Sequence, residues 1–219
     1  MSEELGRIEK SSVEEFKKGR KLYFVPLIWG GSASPAEYLE KFDTYWNQVE
    51  NQVNDLELKL GTVNRIYHEL IPVSGEDGVK AIKGLNDRSY QIVKNRLEKG
   101  AQLEATEESE TLTEFMDWSR CLAIGLQNQK VLTKVYESYT ESSRKRSEHF
   151  ARHIDETLKA DEIGILLMRE GHQIQFPSDI EVLYVAPPAL DEIKRWLRDR
   201  EAQLSEEGKS AAVEKGGCQ

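Results

Sequence analysis

Two of the chain's four histidines stand beside a glutamate where an apolar run ends: His68-Glu69, and Glu170-Gly171-His172. Imidazole and carboxylate side by side can bind a divalent metal or act as an acid/base pair. The second cluster closes the run Ile163–Met168 and brings Arg169 with it. In open α/β sheets, ligands bind just past the carboxyl ends of strands. If both runs are neighbouring strands of one parallel sheet, the two clusters meet at one rim. Alternation then sends His68 and Glu69 to opposite faces, one toward the site and one toward a helix layer. The competing reading is of ordinary solvated charges at strand ends.

Other residues invite the same question. Glu104, Glu107 and Glu108 crowd one short segment, and clustered carboxylates repel unless a cation, an Arg or a shared proton relieves them. They are therefore candidate metal or Arg partners, or a Glu-rich helix N-terminus favoured by the macrodipole. His149 and His153 lie four apart on one helical face. The Glu that follows the first His in zinc proteases is missing here, since Glu148 precedes His149. A surface pair is the simpler reading. The chain has no Gly-x-Ser-x-Gly elbow, P-loop or Gly-x-Gly-x-x-Gly. Gly30-Gly-Ser-Ala-Ser34 is a loop whose amides could cradle a phosphate.

These residues need elements to hold them. Leu22–Trp29 reads as a buried strand, with Pro26 at an end or edge. Ser34 is the expected N-cap and Pro35 the first residue of a helix to Leu60. On that helix Tyr38, Phe42, Tyr45, Trp46, Val49 and Val53 recur at three- and four-residue steps. Their face suits a core, or else an interface between copies of the chain. Val63–Ile71 is a second strand, followed by helices from Ser74 and Asn86. Ala101–Glu107 is a short third strand. Thr111 to Leu158 is helical with a break near 125–128, and residues 163–169 and 180–185 are further strands. A last helix carries Leu190, Ile193, Trp196 and Leu197.

Strands separated by helices predict an α/β protein, with a mainly parallel sheet of four to five strands flanked by helices and a long helical insertion. Residues 1–20 form a charged arm or short helix. Residues 21–203 form one domain, including the insertion at 110–158, and 204–219 have the composition of a disordered tail. The 219 residues carry a net charge of −9, which opposes non-specific nucleic-acid binding. No apolar run is long enough to span a membrane. Neither a signal peptide nor a disulfide framework is evident, so a cytoplasmic protein is expected.

The order of these features resembles the TraB/ChaN/erythromycin-esterase-like group of α/β proteins over residues 22–175. Glu69 matches that group's second-strand Glu, and Lys99-Gly-Ala-Gln-Leu-Glu-Ala-Thr-Glu107 its acidic segment. Arg144 or Arg146 matches the late-helix Arg, and Glu170-Gly-His172 the last strand end. The first loop, Trp29-Gly-Gly-Ser-Ala-Ser34, has no histidine where the group has its metal-binding His, and Arg169-Glu-Gly-His172 is not Gly-x-x-His. The resemblance implies the fold and the place of a pocket. The residues expected to share that pocket are Glu69, Arg146 and His172 as catalytic groups. His172 and Glu69 would be ligand or base, and Arg146 a clamp on an oxyanion. His68, Glu69, Glu107, Glu170 and His172 are the candidate ligands of a divalent metal. Two functions follow: a protein binding a small polar ligand or a protein partner, related to a hydrolase but without its catalytic set, or a metal-dependent hydrolase of a peptide or small polar substrate. A homo-oligomer is compatible with either.

Overall fold

Ile163–Met168 is apolar at every position and wholly buried, which is what a strand covered on both faces requires. In a computed structural model describing residues 18–31 and 33–216, this run is one of five parallel strands. They are β1 (Arg20–Pro26), β2 (Arg65–His68), β3 (Gln102–Leu103), β4 (Ile163–Met168) and β5 (Ile180–Tyr184), in the order β3-β2-β4-β1-β5. Between them run α1 (Ala36–Leu60), α2 (Gly75–Leu85), α3 (Asp87–Glu98), α4 (Ser109–Ala123) and α5 (Gln129–Thr157), and α6 (Pro188–Gly216) follows β5.

Two apolar layers sandwich the sheet. On one face, Tyr45, Trp46, Val49 and Val53 of α1 pack with Ile82 of α2, Ile92 and Val93 of α3, and Leu190 and Ile193 of α6. The aromatic stripe of α1 is thus core. On the other face, Phe150 and Ile154 of α5 cover Leu22, Phe24, Leu166 and Met168, and Ile174 of the β4–β5 connection completes the layer. The insertion between β3 and β4 is the hairpin of α4 and α5. The chain leaves β2 over the first face and β4 over the second. Such a reversal opens a crevice at the carboxyl ends of adjacent strands.

Several local expectations change. The second strand is only Arg65–His68, because the chain turns at once: Leu70 has φ 69°, a left-handed conformation uncommon for a large side chain. β3 shrinks to two residues. Pro35, not Ser34, occupies the N-cap of α1, and the Ser34 hydroxyl instead accepts from the Gly31 N–H at 3.1 Å. Asn86 does cap α3, its side chain accepting from Arg88 and Ser89 N–H groups at 3.1 Å. Residues 204–216 continue α6 rather than forming a disordered tail. Their Leu, Ala, Glu and Lys are strong helix formers, and that propensity answers the low hydrophobicity. Of the arm expected at residues 1–20, residues 1–17 lie outside the described residues, as do the last three residues of the chain, and Arg20 already belongs to β1. Among the described residues, no helix is long and apolar enough to cross a membrane.

Candidate functional site

Strand alternation separates His68 from Glu69 as expected, and only one of them reaches the crevice. The His68 side chain is fully buried on the α3 side. Its Nδ1 donates to the Glu69 carbonyl at 2.7 Å, which makes Nε2 the acceptor for the Ser89 hydroxyl at 2.9 Å. Burial pushes its pKa down to about 4, against a smaller upward pull from its Glu69 neighbour. His68 is a neutral core histidine with both nitrogens occupied, and it does not join Glu69 as a metal ligand.

Glu69 points the other way, into a buried ionic cluster. Its Oε1 accepts from Arg146 Nη2 at 3.1 Å and Arg169 Nε at 3.0 Å, and its Oε2 accepts from the Arg169 backbone N–H at 2.9 Å. Glu107 meets the same guanidinium. Arg146 Nε donates to its Oε2 at 2.8 Å, Arg146 Nη2 bonds its Oε1, and the N–H of left-handed Leu70 donates to Oε1 at 2.9 Å. Both carboxylates have side chains 1% exposed and Arg146 8%. The ring centroids of Phe115 of α4 and of Phe150 lie 4.7 Å and 5.5 Å from the guanidinium carbon, so the cation sits over two aromatic rings. Burial alone would raise the Glu69 carboxyl. The hydrogen bond and charge of Arg169, with the charge of Arg146, outweigh it and hold the group below the usual carboxylate range.

The acidic segment is thus relieved by arginines, one of the two alternatives its spacing allowed. Glu104 pairs with Arg65 at 2.7 Å. Glu108 accepts from the Thr111 hydroxyl at 2.6 Å at the start of α4. Glu170 stands apart from the buried trio: its Oε1 accepts from the Tyr184 hydroxyl and from Lys194 Nζ at 2.7 Å. His149 and His153 stack with ring centroids 5.9 Å apart. Among the described residues, no group of three or more His, Cys, Asp or Glu side chains is placed to hold a metal ion. The five candidate ligands do not converge, and no metal-dependent step can be built on them.

A cavity of about 280 Å³ opens over the ionic cluster. Its floor is Glu69, Arg146 and Met168; α5 contributes Tyr136, Tyr139, Thr140 and Ser143, α4 contributes Phe115, and the turn after β4 contributes Arg169 through Gln173. Gly171, at φ 80°, lets that turn fold back over the strand end. Arg169 is half-exposed and spends Nε and Nη2 on Glu69. Its Nη1 carries no bond among the described residues. His172 is half-buried, and burial lowers its pKa despite the charge of Glu69, so the imidazole is neutral near pH 7. Its Nδ1 accepts from the Ile174 N–H at 3.3 Å, which leaves the proton on Nε2 as a donor. Among the described residues of the first loop, Gly30, Gly31, Ala33 and Ser34 do not line this cavity; Gly30 lies against the Phe42 ring. A larger open groove, about 1070 Å³, follows the other side of α5, and its Arg144 is already paired with Glu141 and Glu148.

The sequence reading placed Glu69, Glu107, Arg146 and His172 around one pocket without assigning Arg169 a role, and it missed Tyr136 and Tyr139. Those two and Ser143 share the face of α5 that carries Arg146, at steps of three and four, and this spacing was the available signal. In comparisons with protein-family models, curated proteins and solved structures, none matches this chain.

Proposed function

We propose that this protein binds a small polar ligand bearing an oxyanion in the crevice above β2 and β4, and that it does so without catalysing a reaction. One observation carries the reading: Arg146 is buried between Glu69 and Glu107, so both carboxylates serve as internal counterions. A general base works best with a pKa near the operating pH, and Glu69 is held in the opposite direction. Among the described residues, the free donors are Arg169 Nη1, His172 Nε2 and the hydroxyls of Tyr136, Tyr139 and Ser143; that of Thr140 already donates to the Tyr136 carbonyl. The two carboxylates that line the cavity are each met by a cation, Glu69 by Arg146 and Arg169 and Glu170 by Lys194, so the remaining donors suit a phosphate or carboxylate, and arginine is well shaped for either. The reading includes kinship with the TraB/ChaN-like group in a form that has lost the catalytic set, and the absence of a histidine at Gly30–Ser34 supports it.

The test is calorimetric titration with inorganic phosphate at low ionic strength. Arg169→Gln is expected to weaken binding at least tenfold, on the order of 1.4 kcal/mol, in protein whose cooperative thermal unfolding shows it folded, since Glu69 keeps Arg146 and the residue-169 backbone N–H as partners. Equal affinity in parent and variant would contradict the proposal. Hydrolysis of a peptide or ester that requires an added divalent metal would restore the hydrolase reading.

A further inference from the structure

Beside the polar cavity, and sharing Glu170, Gly171 and His172 with it, lies a second cleft of about 260 Å³. Its walls are aromatic. Phe24 at the end of β1 stacks on Tyr184 of β5, with centroids 5.4 Å apart and planes 12° from parallel. His172 tilts over Phe24 at 4.9 Å and meets Phe176 edge-on at 5.8 Å. Among the described residues, no helix covers this part of the sheet: Val182 and Tyr184, on the same face of β5, are 39% and 47% exposed. A side chain lost to solvent there gains nothing for the fold, whereas a planar ligand laid against the exposed face of such rings gains stacking.

The geometry points to a ring-binding subsite continuous with the oxyanion subsite, so that the ligand class is a planar, N–H-bearing ring joined to an anionic group, the chemistry of a nucleoside monophosphate. This inference rests on the oxyanion-binding reading and adds the other half of the ligand. Two facts select a neutral ring over an organic cation. The Glu170 charge is already met by Lys194 and by the Tyr184 hydroxyl. Both bonds fall on Oε1, so Oε2, unbonded among the described residues, remains as an acceptor for a ring N–H. Size agrees as well. Each cavity lies below the roughly 300–1,000 Å³ of sites for drug-sized ligands, and the two joined fall inside that range. An acidic chain does not oppose such a ligand, because one base and one phosphate need a local donor set rather than a basic surface.

The experiment compares guanosine 5′-monophosphate with ribose 5-phosphate, which carries the same phosphate and sugar without the ring, by calorimetric titration of the full chain. Base–aromatic stacking predicts that the nucleotide binds at least tenfold more tightly. Tyr184→Leu removes one wall, and Val182→Trp fills the cleft from an exposed position on an edge strand. Both are expected to abolish the nucleotide's advantage while leaving ribose 5-phosphate affinity unchanged, which also shows that the variants are folded. Equal affinity of the parent for the two compounds, or an advantage that survives both variants, overturns the ring subsite and leaves oxyanion binding standing. If neither compound binds, both readings fall.

Discussion

Arg146 and His68 show how single side chains are settled by what surrounds them. Arg146 enters an apolar layer only because two carboxylates and two aromatic faces receive it, and breaking such a buried pair is costly. His68 is the reverse case, a titratable group kept neutral by burial. Its folded-state pKa is about 4 against an ordinary value of 6.5. The unfolded chain therefore binds the extra proton first as pH falls, so His68 destabilises the fold as pH drops through that window. Between pH 7 and pH 5, His68→Gln should lose roughly 2 kcal/mol less unfolding free energy than the parent, as read from urea denaturation at each pH. His153 and His172, lowered in the same direction by burial, act equally in both proteins. Identical pH dependence in parent and variant would show that His68 is charged or solvated in the native state.

At the scale of elements, β4 positions the site, since Arg169 and the turn to His172 begin at its last residue. Gly164 lets β4 sit close to its neighbours. A Cβ there would come within 2.9 Å of Leu22 Cδ1 and 3.0 Å of Tyr67 Cε2. Gly164→Ala should cost about 1–3 kcal/mol by overpacking, measured by thermal or urea unfolding, and a neutral result would mean that this layer is looser than described. Much of this level was legible in advance. The apolar run of β4 and the aromatic stripe of α1 left few alternatives, because burial on two faces and a helical stripe each leave a strong periodic mark. The ends were harder to read. The turn at Leu70 depends on Glu107, distant in sequence, and no local pattern announces it. Pro35 and Ser34 exchanged roles for a similar reason: the serine hydroxyl found the Gly31 amide before the helix could use it.

At the scale of the molecule, the expectation that Glu69, Glu107 and Arg146 share a place came from reading the chain as one parallel sheet. What they do there did not. A carboxylate beside a metal and a carboxylate beside an arginine look alike in sequence, and only packing shows which cation arrived. The strand order brings Glu69, Glu107, Arg146 and Arg169 together from four separate parts of the chain. That order also sets the polar cavity beside the aromatic cleft at one rim. On the proposed function, Arg169, and not another cation of this charged surface, receives the ligand's oxyanion. The most direct measurement follows the arginine Nε–H resonances of the full chain during titration with inorganic phosphate, with Arg169→Gln supplying the assignment. A saturable shift of the Arg169 signal is expected, while Arg20 and Arg65, engaged at distant ion pairs, stay unmoved. A titration that leaves Arg169 in place, or that shifts the exposed arginines alike without saturating, would contradict it.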